Sequence, residues 1–100
     1  SEAAAMALSP DEIRSLQLEL ADRLYIQIGG WHLYLGDAGL AATLAIECAA
    51  RLDQGPGVCA RQALEAVQVP IGGGSSKLPL ARLVPPGQLQ DLEDLLASRC

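Results

Sequence analysis

The segment that most resembles a ligand-binding loop is a glycine-rich stretch with a single cation at its end. It consists of Gly72, Gly73, Gly74, Ser75, Ser76 and Lys77. Successive glycine N–H groups can form an anion nest, and Lys77 would add a positive charge for a phosphate or a carboxylate. The spacing is not that of a P-loop, because G-x-x-x-x-G-K-[ST] is absent and the residues that follow read as extended rather than helical. A hairpin loop without a ligand is the simpler interpretation.

The single histidine, His32, is the other residue that could do acid–base chemistry. A general base needs a nucleophile or a carboxylate beside the imidazole, and Asp37 is the nearest acid in sequence. No serine or cysteine accompanies this pair in a known catalytic arrangement. We therefore expect His32 to be a packed or partly exposed residue and the protein not to be an enzyme. An enzyme built on His32 and Asp37 is the least favoured alternative.

Three cysteines at irregular spacing, Cys48, Cys59 and Cys100, predict neither a disulfide scaffold nor a zinc site. We expect Cys48 and Cys59 to act as small apolar packing residues and Cys100 to be exposed. The sequence predicts no cofactor and no metal.

All the aromatic residues, Tyr25, Trp31 and Tyr34, lie within ten consecutive positions. Tyrosine and tryptophan are enriched among the residues that anchor protein–protein interfaces. In a helix, Tyr34 would lie about 100° away from the side that carries Trp31 and Leu35, and would reach solvent. Both core packing and a partner-binding surface fit this cluster.

The net charge of −5 comes from twelve acidic and seven basic residues, of which one is a lysine. This balance disfavours binding to nucleic acid or to anionic lipid. No segment is long and apolar enough to predict membrane insertion. Residues 1–8 lack the pattern of a signal peptide and predict a disordered or frayed leader before a single globular domain over residues 9–100. We expect a cytoplasmic protein.

A helix start is clearest at Ser9-Pro10-Asp11-Glu12, where Ser9 and Glu12 can form a capping box. The apolar stripe that follows keeps helical spacing as far as Leu35, which favours one long helix, or two nearly coaxial ones, with a kink at Gly29-Gly30. The β-rich composition of residues 25–35 leaves a strand, with the two glycines as a bulge, as the alternative.

Further along, the almost wholly apolar run from Asp37 to Leu52 predicts a central helix buried on nearly all sides. A short helix follows over residues 58–66, and V-Q-V-P-I and L-P-L-A-R-L-V read as a β-hairpin around the glycine loop. Pro85-Pro86 precedes the last helix. The predicted fold is α+β, mainly α: a compact bundle of about four helices around the buried central helix, with one β-hairpin before the C-terminal helix.

Two segments, W-H-L-Y-L-G-D-A over residues 31–38 and P-I-G-G-G…L-P-L over residues 70–80, resemble a family of small uncharacterised cyanobacterial proteins classed as a domain of unknown function. The resemblance implies a cyanobacterial cytoplasmic protein and brings no known reaction, cofactor or catalytic residue.

From the residues we predict a non-enzymatic protein-interaction or assembly and regulatory protein. Its partner would be another protein or a second copy of itself, held by Tyr25, Trp31 and Tyr34. The alternative is a regulatory protein that binds a small anion or a nucleotide through the Gly72–Lys77 loop.

Overall fold

The computed structural model describes residues 8–100. Helix α1 spans Pro10–Arg23 and begins where the sequence predicts. The Ser9 amide donates to Glu12 Oε1 at 2.9 Å, and the Glu12 amide donates to Ser9 Oγ at 3.1 Å. Hydrogen bonding to the Glu12 carboxylate from the Ser9 amide, and then from the Ser9 side chain, favours its charged form and holds the pKa of Glu12 below its ordinary value of 4.5. Of the leader predicted over residues 1–8, Leu8 packs against the core and the remainder lies outside the described residues.

The prediction of one long helix as far as Leu35 is wrong. Helix α1 ends at Arg23, and the chain then forms an antiparallel hairpin of β1 (Tyr25–Ile28) and β2 (Trp31–Tyr34). Gly29 has a φ of 59° and Gly30 a negative φ, the sign combination of a type II′ turn. This turn suits the natural twist of a two-residue hairpin. The strand alternative is therefore confirmed, with the two glycines as the turn rather than as a bulge or a kink.

The predicted buried central helix over residues 37–52 is wrong in both extent and burial. A one-turn helix, α2, spans Leu35–Ala38, and Gly39 ends it with a φ of 73°. Helix α3 spans Ala41–Ala49, and its buried residues are Ala41, Leu44, Ala45 and Cys48. Its opposite side carries Ile46, which is 58% exposed. Helix α3 packs on α1 and on the helix that follows it, so its remaining side faces water, where small alanines are tolerated.

A second hairpin follows helix α4, which spans Pro56–Ala66. Strand β3 (Gln68–Ile71) pairs antiparallel with β4 (Ser76–Pro79), which confirms the hairpin predicted in this part of the chain. The loop is shorter than predicted, because Ser76 and Lys77 belong to β4. The structure thus has two hairpins within residues 8–100 where the sequence predicted one.

The last helix, α5, spans Gly87–Ala97 and buries Leu92, Leu95 and Leu96, as its apolar stripe predicts. Helix α4 packs against α5, and α1 packs against α3. The residues that they bury join into a single core cluster that also includes the base of each hairpin, at Ile26 and Val69. The fold class is therefore confirmed as α+β and mainly α, with five helices in the described part of the chain.

Two buried cysteines mark the place where α3 meets α4. The Cys59 thiol donates a hydrogen bond to the Cys48 carbonyl oxygen, with a sulfur–oxygen distance of 3.1 Å. A separate side-chain hydrogen bond of the Cys48 thiol with Cys59, followed by burial, raises the pKa of the Cys48 thiol, so this sulfur stays protonated. Cys48 and Cys59 are packing residues and Cys100 is exposed, as predicted.

Candidate functional site

The first hairpin presents two chemically different faces. Directly paired residues of an antiparallel ladder share a face, and successive residues alternate between faces. The pairs Ile26↔Leu33 and Ile28↔Trp31 therefore form one face, which we call the apolar face. The pairs Tyr25↔Tyr34 and Gln27↔His32 form the other, which we call the ring face.

The ring face is held together by aromatic contacts. The Tyr25 ring stacks on the His32 ring with centroids 4.8 Å apart and an interplanar angle of 17°. It meets the Tyr34 ring edge-on at 5.8 Å. Aromatic pairs of these geometries contribute roughly 0.5–1.5 kcal/mol beyond the burial of their area. This face therefore stiffens the hairpin, and it gives His32 a packing role.

The apolar face is buried at its base and exposed at its tip. Ile26 is buried in the core, but 40% of Leu33, 47% of Ile28 and 79% of Trp31 are exposed. Trp31 is next to the turn, paired with Ile28, so the two side chains form an apolar end to the hairpin. A contiguous exposed apolar patch on a soluble domain is typical of an interaction surface.

The outer edge of β1 is closed by the C-terminal part of the chain. The Tyr25 amide donates to Oε1 of the buried Gln88 at 2.8 Å, and the Gln27 amide donates to the Leu83 carbonyl at 2.8 Å. Gln88 is itself held by a 3.2 Å bond from its amide nitrogen to Asp91. These bonds fix the hairpin to the body of the domain along one edge.

The outer edge of β2 is open. Because the amides of Tyr25 and Gln27 point away from β2, the amides of their partners Tyr34 and His32 point away from β1. No hydrogen bond joins these two outward amides to another part of residues 8–100. Strand β2 therefore offers unpaired donors beside the exposed apolar side chains.

The first hairpin also lies within the longest run of the sequence that has no acidic residue, lysine or arginine. No acidic residue, lysine or arginine occurs between Arg23 and Asp37. A partner would therefore find apolar and neutral hydrogen-bonding groups on this surface, without a fixed charge to neutralise.

Two of the three predicted partner-binding residues come together, and the third lies on the opposite face. Tyr25 and Tyr34 contact each other on the ring face, where Tyr25 is half-buried, whereas Trp31 belongs to the apolar face. The sequence reasoning missed Ile28 and Leu33, which accompany Trp31. The alternation of apolar and polar residues in a strand would have identified them. The helical spacing of the apolar residues in the same segment favoured a helix instead.

The predicted anion-binding loop is fully exposed. Gly72, Gly73 and Gly74 have φ values of 57°, 79° and 90°, and the Ser75 hydroxyl donates to the Gly72 carbonyl at 3.1 Å. Lys77 lies on β4, where it pairs with Pro70. The three glycines are exposed within a 3₁₀ turn over Gly72–Gly74, and binding of an anion there stays a prediction.

Four surface depressions of about 310–550 Å³ lie elsewhere. None of these four is lined by the first hairpin or by the glycine loop. The largest is an open groove, of about 550 Å³, lined by Arg51, Arg61, Gln62, Glu65 and Ala66.

Within residues 8–100, no group of three or more His, Cys, Asp or Glu side chains is placed to hold a metal ion. None of the helices in the same range has the length and apolar character needed to span a bilayer.

One family model matches the chain over residues 13–98, and its description is a protein of unknown function, DUF3181. This range contains both hairpins and every buried residue of the core cluster, from Leu16 to Leu96. No curated protein and no solved structure matches the chain.

Proposed function

The chain belongs to the DUF3181 family, and we propose that it is a non-enzymatic protein-interaction protein that binds through the apolar face of its first hairpin. The binding residues are Ile28, Trp31 and Leu33, and the half-exposed Tyr34 lies on the opposite, ring face of the same strand. Tyr25 contributes indirectly, because its ring packs against His32 and Tyr34 on the ring face and stiffens the hairpin.

The observation that carries this proposal is the exposure of Trp31. The largest side chain of the protein is 79% exposed at the end of a hairpin, next to the half-exposed Ile28. Covering apolar area yields roughly 25 cal/mol per Å², so the patch favours association. Tryptophan and tyrosine are also the residues on which interface binding energy most often concentrates.

The attachment of the hairpin supports the same proposal. Strand β1 is held at two amides by Leu83 and Gln88, and its base at Ile26 is part of the core. A surface that is already ordered loses little conformational entropy when it binds. The apolar face is therefore presented on a preorganised support.

The test compares two truncations of exposed apolar residues in affinity capture from an extract of the source organism. In Trp31→Ala the proposed surface is lost, whereas Ile46→Ala removes a 58% exposed apolar side chain from α3, away from the hairpin. We expect the wild type and Ile46→Ala to retain the same proteins, including a second copy of the chain if one is present, and Trp31→Ala to lose them.

Circular dichroism establishes first that both variants are folded. The proposal is wrong if the folded Trp31→Ala variant keeps every partner that the wild type retains. Loss of the same partners from both variants would also contradict it, since the effect would then not belong to the hairpin.

Two finer parts of the proposal rest on sequence alone. A cyanobacterial source and a cytoplasmic location are supported by the resemblance of residues 31–38 and 70–80. The alternative, an anion-binding regulator, is supported by the exposure of Gly72–Gly74 and of Lys77 nearby. It predicts that millimolar phosphate raises the melting temperature and that Lys77→Ala abolishes this shift.

A further inference from the structure

We propose that the partner of the first hairpin is a second copy of this chain, joined to it by antiparallel pairing of the two β2 strands. The two hairpins would form a four-stranded sheet across a two-fold axis. This inference rests on the proposed function and names its partner.

The first argument is the open edge of β2. The outward amides of His32 and Tyr34 are donors at a strand edge, and strand addition satisfies such groups with backbone bonds. Strand β1 cannot serve in the same way, because Gln88 and Leu83 already occupy its outward amides. The hairpin therefore has one edge for a partner, which is the requirement for a closed pair rather than a growing sheet.

The second argument is the contrast with the second hairpin. There, Pro70 on β3 and Pro79 on β4 pair with Lys77 and Gln68, respectively. Proline has no amide to give to the ladder, so these positions face outward, and each strand has its free edge blocked. Lys77 adds a charge to the edge of β4. The first hairpin has neither proline nor charge, so this chain protects one pair of edges and leaves β2 unprotected.

The third argument is electrostatic. Two copies that each carry a net charge of −5 repel each other in general, but the segment between Arg23 and Asp37 has no acidic residue. Two β2 strands can therefore approach without opposing like charges. A strongly basic partner, in contrast, would find no carboxylate on this strand.

The outward amides of His32 and Tyr34 allow a two-fold pairing centred on His32 or on Leu33, and a pairing centred on Leu33 would place Trp31 opposite Leu35, which is buried at the start of α2. We therefore choose the pairing centred on His32, which places His32 opposite His32 of the second copy, and Trp31 opposite Leu33 of the second copy. The two His32 residues would exchange backbone hydrogen bonds, and the Tyr34 amide would bond to the Gly30 carbonyl of the second copy. Both apolar faces would then lie on the same side of the sheet, so that the exposed tryptophan packs on an aliphatic side chain.

The available area predicts a weak dimer. The exposed parts of Ile28, Trp31, Leu33 and Tyr34 amount to roughly 400 Å² in each copy, on side-chain areas of about 150–250 Å². Two copies would bury at most roughly 800 Å², which is below the 1,200–2,000 Å² of a stable interface. We therefore expect a dimer whose population changes with protein concentration.

The first experiment is a cross-link at the two-fold axis. His32→Cys is made in a Cys100→Ser background, which leaves the buried Cys48 and Cys59 as the other thiols. Hydrogen-bonded residues of an antiparallel pair have Cα atoms about 5.5 Å apart, within the range of a disulfide. Oxidised glutathione is the oxidant. The two thiols introduced by His32→Cys form one disulfide, and oxidised glutathione takes up their two electrons and two protons to become two molecules of reduced glutathione. We expect a covalent dimer at His32→Cys and none at the matched edge variant Lys77→Cys, also in Cys100→Ser.

The second experiment measures mass by light scattering as protein concentration is raised. His32→Pro removes the outward amide and leaves the bonds inside the hairpin unchanged, and Lys77→Pro makes the same change on the other hairpin. We expect the wild type and Lys77→Pro to gain mass and His32→Pro to remain monomeric. If His32→Pro does not fold, the cross-link decides the question alone.

The inference is overturned if the wild type remains a monomer over the concentration range, or if His32→Cys and Lys77→Cys cross-link equally. A monomer whose capture of a different protein depends on Trp31 would refute the second copy as partner and leave the proposed function standing. A monomer with no Trp31-dependent partner would refute both.

Discussion

Single polar residues tie the ends of elements together by two different routes. Glu12 acts locally, through hydrogen bonds with Ser9 three positions away. Gln88 acts over a distance of 63 positions, and its buried side chain supplies an acceptor to the first amide of β1. One route fixes where a helix begins, and the other fixes where a hairpin sits on the domain.

The lowered pKa of Glu12 predicts a pH-dependent contribution to stability. A carboxylate whose pKa is lower in the folded state stabilises the fold above its unfolded pKa, and the contribution is lost as pH falls through the folded value. Glu12→Gln keeps an acceptor and removes the ionisation. By urea denaturation, the wild type should exceed Glu12→Gln in free energy of unfolding at about pH 7, and the excess should shrink towards about pH 3. An excess independent of pH would contradict the prediction.

Removal of the Gln88 side chain should destabilise the protein. In Gln88→Ala the Tyr25 amide loses its acceptor at a half-buried site, which costs about 1–3 kcal/mol. Gln90→Ala is the control, because Gln90 is exposed and bonds to Asp94 on its own helix. Urea denaturation measures both changes, and hydrogen exchange should show faster exchange of the Tyr25 amide in Gln88→Ala alone. Equal effects of the two variants would argue against the bridge.

At the scale of elements, how much could be predicted depended on whether a signal was local. The capping box and the β3–β4 hairpin are local patterns, and both were predicted. Residues 24–35 carried two patterns at once: helical spacing from Leu24 to Leu35, and alternation around Ile26. The tertiary bonds from Leu83 and Gln88 stabilise the strand, and no local pattern contains them. The same reason explains why Trp31 was identified as a site residue while Ile28 and Leu33 were not.

Close packing between α1 and α2 predicts a specific sensitivity at Gly36. A Cβ atom there would lie 2.9 Å from the Ala21 Cβ and 3.2 Å from the Ala21 carbonyl oxygen, so the helices would have to separate. Gly36→Ala should cost about 1–3 kcal/mol of unfolding free energy. Gly87→Ala is the matched control, since nothing lies within 4 Å of its added carbon, and it should be neutral or slightly stabilising. Chemical denaturation that shows equal costs would disprove this account of the contact.

At the scale of the whole molecule, one core carries two hairpins that differ at their strand edges. The free edges of the second hairpin are blocked by prolines, whereas the edge of β2 is open. The core joins residues from α1 to α5 into a single cluster, so the domain should open as a unit. Cys48 and Cys59 lie within that cluster, whereas Cys100 is exposed.

Thiol reactivity should therefore report global unfolding. In native conditions with a thiol-reactive dye, we expect Cys100 to react at once and the two buried cysteines to react slowly. In denaturant all three should react at the same rate. In Cys100→Ser the fast native phase should disappear. Rapid native labelling of Cys48 or Cys59 would show that α3 and α4 separate without global unfolding.

The bond between Tyr25 and Gln88 also has a consequence for synthesis of the chain. The hairpin can form in microseconds, but the residue that closes the edge of β1 is made 63 positions later. At ribosomal rates that interval is roughly 3–13 s. During this time both strand edges and the tryptophan are open to solvent and to nascent neighbours. The hairpin is thus most vulnerable to wrong pairing while it is being translated, and completion of the last helix ends that exposure on one side.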